Sequence, residues 1–289
     1  MKPSLIFLSL LCLIPWDRPA HAIDPGTAQG TLRVNTESIP LSQAYAHLHD
    51  NAEGLLDRPG ELRVLITDRE APQEMLAGIS VMETLDEMVK DGKVRGLLLR
   101  MDPDDSSYVL VTLLYPPADS RESLMTQTIS ATGHKAMKSL QIGGNRVMGE
   151  IERQQPTESS LTGFPKVGYS IRFSAPLFHE LPVTADIKGE AARKSPQANA
   201  LREKARALAR GDLEAVRRLS TDRANRRLDG FVAPGGEEAK SMMKQGGTEM
   251  EESLKSIRRV VERGNRAVVI WEDESWITLF RQGGEWKID

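Results

Sequence analysis

The chain has 289 residues, with 38 Lys+Arg against 41 Asp+Glu, a formal net charge of -3, and 39% hydrophobic, 27% charged and 5% aromatic residues. At ~100–200 residues per domain, this length fits two domains. The composition excludes collagen, wholesale disorder and a polytopic membrane protein, and the near-neutral balance argues against a dedicated nucleic-acid binder.

The first 22 residues read as an export signal. Lys2 supplies the positive start, Leu5 to Ile14 form the apolar run, Pro15 ends it, and Ala20 and Ala22 flank His21 in the small-x-small pattern of a signal-peptidase site. The run is shorter than the ~20 apolar residues that cross a bilayer. The mature chain is expected to start at Ile23, to be periplasmic or secreted, and to have no stable membrane insertion. Cys12, the single cysteine, lies inside the signal and follows Leu11, not the small residue that a lipoprotein signal needs. A cysteine-free mature chain excludes disulfides, a Cys nucleophile and thiolate metal sites.

Residues 23–29 read as a flexible leader. Thr31 to Val34 alternates as a strand, Asn35 turns the chain, and Ile39 to His49 continues extended. Leu62 to Thr67 is a buried strand closed by Asp68. Met75, Ile79, Met82, Leu85 and Val89 recur at helical spacing, so a helix is expected from Ala71-Pro72 to Asp91-Gly92. Further strands are expected at Val94–Met101, Tyr108–Tyr115, Met125–Ala131, Gln141–Ile142, Arg146–Ile151 and Val167–Phe173, with a tight turn at Gly143-Gly144-Asn145. Residues 30–185 thus predict a β-rich domain, a sandwich or a curled sheet with one helix.

Residues 186–196 lack apolar periodicity and read as a linker. Leu201 to Leu208 is helical, Gly211 stops it, and Asp212 caps a second helix that turns Leu213, Val216 and Leu219 inward. Short helices around a Gly-rich turn are expected over 225–254. Strands follow at Ser256–Glu262, Ala267–Glu272, Ser275–Arg281 and Trp286–Ile288, joined at Arg263-Gly264-Asn265 and Gln282-Gly283-Gly284. The fold class is therefore α+β. Residues 23–185 carry a net charge of -7 and residues 186–289 a net of +3. This is either ordinary solvated surface or an attraction between the two halves.

The last third resembles the nuclear transport factor 2-like (SnoaL-like) superfamily. The resemblance rests on Ala207 to Glu214 at the helix break, the strand series, and the closing Gly284-Glu285-Trp286-Lys287-Ile288. It implies a cone-shaped α+β domain at 197–289 with a pocket inside and a sheet face used for dimerisation, without fixing one function. The N-terminal region is similar to uncharacterised exported bacterial proteins, through Gly30 to Asn35, Ala44-Tyr45-Ala46, Leu65 to Asp68, Val94-Arg95-Gly96 and Phe173 to Pro176. That similarity brings no activity.

Enzymes of the superfamily place an Asp, His or Tyr in the cone as general base, but here no His follows His179 and no Tyr follows Tyr169. Glu272, Asp273 and Glu274 sit at a hairpin turn, where solvated charge is the plain reading. Trp271, Trp276, Phe280 and Trp286 are the candidates for lining an apolar pocket, with core packing as the alternative. His47 and His49 share a strand face. Even with Asp50 adjacent, a metal would need further ligands, so ordinary strand or surface histidines are expected. The Asp102 to Asp105 loop lacks calcium-loop spacing, and His179-Glu180 is no zincin site because Val183 stands where the second His belongs. No nucleophile elbow, P-loop or dinucleotide fingerprint occurs. The expected function is binding, of a small apolar ligand in the cone or of a partner protein, without cofactor or metal. An enzyme with proton-transfer or hydrolytic chemistry in the cone pocket and an envelope assembly component are the alternatives, and a homodimer is compatible with each. If the export reading holds, the protein recovered from an exporting bacterium has the mass of a chain starting at Ile23; a retained Lys2 overturns it.

Overall fold

The computed structural model describes residues 26–105, 108–116, 137–154 and 165–289. The signal segment with Ala20 and Ala22, and the strand expected at Met125–Ala131, lie outside the described residues. The fold is mixed α and β, built on two sheets that are antiparallel but for one pairing in the first.

The first sheet is a curled, eight-stranded half-barrel. Its strands are β1 (Thr27–Val34), β2 (Glu37–His49), β3 (Glu61–Thr67), β4 (Gly96–Met101), β5 (Val109–Leu114), β6 (Met137–Gly143), β7 (Arg146–Arg153) and β8 (Val167–His179), in the order β5-β4-β3-β2-β1-β8-β7-β6. It is one continuous sheet, not a sandwich. β1 begins earlier than expected: Thr27 pairs with Ser174 and Ala28 is buried, so residues 27–29 are strand and not leader.

One further pairing sets up everything downstream. β1 is 8 residues long, while its neighbours β2 and β8 are 13 each. Beyond the start of β1 the two long strands meet directly, in parallel, at Ala46–Leu177, His47–Phe178 and Leu48–His179. This contact curls the sheet and brings the end of β2 beside the end of β8.

The two faces of the sheet differ. Because side chains alternate along a strand, Leu62, Val64 and Ile66 of β3 join Leu97, Leu99, Ile171 and Phe173 in the largest apolar core. The opposite face is divided. Tyr45, Leu65, Leu98 and Leu114 lie under helix α1 (Val81–Lys90), which buries Val81, Met82, Leu85 and Val89. Further along the same face stand His47, His49, Glu61 and Arg63, paired across β2 and β3 and all buried.

The helix starts later than its periodicity suggests. A short 3-10 turn (Gln73–Leu76) comes first, and α1 begins only at Val81. Gly78 interrupts the run at φ 77°, a left-handed conformation that breaks regular helix geometry.

The second sheet has the order β13-β12-β11-β10-β9, from β9 (Ala185–Lys188), β10 (Ile257–Arg263), β11 (Arg266–Trp271), β12 (Trp276–Gln282) and β13 (Glu285–Ile288). The expected linker at 186–196 is thus structured. It holds β9, helix α2 (Gly189–Arg193) and the start of α3 (Pro196–Arg210), because Ile187 can pair with Val260 while Ala192 and Ala198 are buried. Helices α4 (Leu213–Arg218) and α5 (Asp222–Ser253) follow, the latter kinked at Gly236 as the Gly-rich stretch suggests. Side chains of Ser195, Asp212 and Thr221 cap α3, α4 and α5. One sheet face packs Val260, Val269, Leu279 and Ile288 against Leu201 and Leu254. The other presents Val261, Val268 and Ile270 to Leu55 and Ile79 of the first half.

Leu85 is fully buried at the centre of the α1 contact. Leu85→Ala is expected to lower unfolding free energy by about 3 kcal/mol in urea titration, the range for a buried Leu truncation; a loss under about 1 kcal/mol would show that α1 is dispensable to the core.

Candidate functional site

The site forms where the β10–β11 hairpin meets the divided face of the first sheet. Arg263 and Arg266 flank the two-residue turn and are direct cross-strand partners, so their side chains share one face. Gly264 takes φ 59° in that turn. Like charges directly opposite destabilise a hairpin, and the first half supplies a carboxylate for each.

Glu180, immediately after β8, is the hub. Its Oε1 accepts from the Gly78 N–H and lies 3.1 Å from His49 Nδ1, while its Oε2 accepts from Arg266 Nη2. His47 Nε2 stands 3.9 Å from Oε1. Burial alone would raise the Glu180 pKa. The His49 hydrogen bond, the Arg266 charge and the Gly78 N–H outweigh it and hold the carboxyl far below the usual range. Gly78 is required twice over: its φ is positive, and a Cβ there would stand 2.5 Å from Arg266 Nη1.

Arg263, 1% exposed, donates through Nε to Glu53 Oε1 at 2.9 Å, and through its Nη atoms to Asp50 and the Leu181 carbonyl. Arg63, equally buried, donates to Glu61 Oε1 at 2.8 Å and to the carbonyls of Leu76 and Gly78. Burial would raise Glu61, but the Arg63 guanidinium, with Arg100 and Arg58, keeps it ionised.

His47 differs from these groups. Burial, opposed by Glu180 and reinforced by Arg63 and Arg266, pushes its pKa down to about 4. The ring is neutral at pH 7, and its contact with Glu180 is not an ion pair. His47 Nδ1 is buried with no hydrogen-bond partner among the described residues, as is Arg266 Nε.

Two cavities flank the hairpin. One, ≈ 460 Å³, has an apolar wall of Pro72, Met75, Ile79, Met88 and Phe280, with the hydroxyls of Ser80, Thr84 and Thr278 and the guanidiniums of Arg223 and Arg226. The other, ≈ 500 Å³, is lined by His47, Glu180, Arg263 and the half-exposed Phe178 and Leu181. Ala77, Arg266 and Phe280 line both, so the two adjoin there.

These facts relocate the sequence candidates. Of the four aromatics, Phe280 lines the cavities, whereas Trp271 and Trp286 belong to the second-sheet core and Trp276 packs beside Ile270. Glu272, Asp273 and Glu274 are exposed at their turn. His47 and His49 are buried, not surface, histidines. Among the described residues no group of three or more His, Cys, Asp or Glu is arranged to hold a metal, and no helix is long and apolar enough to cross a membrane. No family model, curated protein or solved structure matches this chain.

The low pKa values make acid destabilising. His47 contributes stability that is whole above its ordinary 6.5 and is lost as pH falls toward about 4. Glu180 adds a further loss once pH falls below its ordinary 4.5. The His47 limb amounts to about 3 kcal/mol by the conversion of ~1.4 kcal/mol per pKa unit. His47→Phe is expected to flatten the decline between pH 6.5 and 4 in denaturant midpoints and to leave the steeper fall below pH 4.5; an unchanged profile would show that His47 ionises freely in the fold.

Proposed function

We propose that the chain is an exported binding protein that holds a small molecule in the groove where the hairpin β10–β11 meets the first sheet. The observation that carries this reading is the pair of adjoining cavities, each within the size range of small-ligand sites, with an apolar wall and a few convergent polar groups. The α-helical and five-stranded part fits the cone-shaped domain of the nuclear transport factor 2-like superfamily in its helix break at Gly211 and its closing strand at Trp286. The ligand site of this reading lies on the outer sheet face of that part, not inside a cone.

Nile red, an uncharged apolar dye, is expected to bind the full chain at one equivalent with micromolar Kd. Ala77→Trp fills the place where the cavities adjoin, and should weaken the dye by at least about tenfold, ~1.4 kcal/mol, with an unchanged thermal midpoint. Absence of dye binding, or equal binding by the variant, overturns the groove.

A further inference from the structure

The guanidiniums around the groove are already paired, and the one lining acid without a partner among the described residues, Asp222, is exposed. Arg223 holds Asp289, Arg226 faces Glu87 at 3.5 Å, Arg266 holds Glu180, and Arg263 holds Glu53 and Asp50. His47 is neutral. An anionic head would have to compete with a carboxylate for each guanidinium, and a cationic head with a guanidinium for each carboxylate but the exposed Asp222. At the buried pairs Arg263–Glu53 and Arg266–Glu180 neither exchange gains charge compensation.

What the groove does retain is hydrogen-bonding capacity without charge. Of the three Arg266 side-chain nitrogens, only Nη2 has a hydrogen-bond partner among the described residues. Its guanidinium therefore keeps N–H donors to spare where the two cavities adjoin. His47 supplies the complement. Its Nε2 faces the Glu180 carboxylate, which favours the proton on that nitrogen and leaves Nδ1 an acceptor. Both groups stand on the same carboxylate, one at each oxygen. A small shift of either side chain on ligand entry satisfies an orphan that otherwise costs stability.

Resting on the groove reading, we propose that the ligand is an uncharged amphiphile whose polar end is an amide, the carbonyl accepting from Arg266 and the N–H donating to His47. Its apolar body lies along Met75, Ile79, Met88 and Phe280. The amide class follows from needing an acceptor and a donor together with no net charge.

The test is displacement of Nile red from the full chain at pH 7 by three probes of equal length: octanamide, octanoate and octylammonium. Octanamide is expected to bind at least about tenfold tighter than either ion. Arg266→Lys keeps a positive charge for Glu180 but loses the spare guanidinium donors, and should cut that preference to less than about threefold. Either ion binding tightest overturns the proposal, as does equal binding of all three. Dye binding that is lost in Ala77→Trp, with no displacement by any probe, overturns the amide class and leaves the groove standing. Absence of dye binding brings down the groove itself. The wild-type ranking decides the matter even if Arg266→Lys does not fold.

Discussion

A carboxylate buried among apolar strands is stable only while its partners stay in place, and Glu180 draws its partners from three separate stretches of chain. Gly78 comes from the loop before α1, His49 from the end of β2, and Arg266 from the hairpin of the second sheet. Removing one partner of a buried ion pair leaves an uncompensated charge, at a cost of about 3–5 kcal/mol. The break before α1, the direct meeting of β2 with β8, and the seating of the hairpin are therefore coupled through one side chain.

Charge gives this junction its orientation more than its strength. Among the described residues, each ion pair that links the two halves takes its acid from residues 23–185 and its base from residues 186–289, in keeping with their opposite net charges. Arg259 extends the pattern by donating to the carbonyls of Ala52 and Glu53. Buried ion pairs barely break even against apolar contacts of the same size. The attraction must come largely from Val261, Val268 and Ile270 against Leu55 and Ile79, while the arginines fix which way the sheets face.

Much of the framework was legible because it follows from local pattern. Alternation marked β1, a buried apolar run marked β3, and hairpin turns framed the closing strands. The caps at Asp212 and the stops at Asp91-Gly92 and Gly211 emerged from residue type alone. The site was less legible, since its members are far apart in sequence and each has an ordinary local reading. Arg263 and Arg266 look like hairpin-end charges, and Glu180 like a loop acid. One signal was present: Glu61 and Arg63 interrupt an otherwise apolar strand at alternate positions, as His47 and His49 do on the neighbouring strand. Two adjacent strands with charge on the same alternate positions mark a buried polar patch. The segment at 186–196 escaped for a different reason, because four residues of edge strand carry too little periodicity to stand out.

The two-residue connection between β10 and β11 has a bearing on how this protein can vary. Side chains alternate along a strand, so one added residue on either side of Gly264-Asn265 would rotate one of the two guanidiniums to the far face. Its acid would then be left buried alone, and that arginine would point into the apolar core. Loop tips usually tolerate insertions and deletions well. Here the tip acts as a ruler, and length variation among relatives should collect at the Trp271–Trp276 and Gln282–Glu285 connections instead.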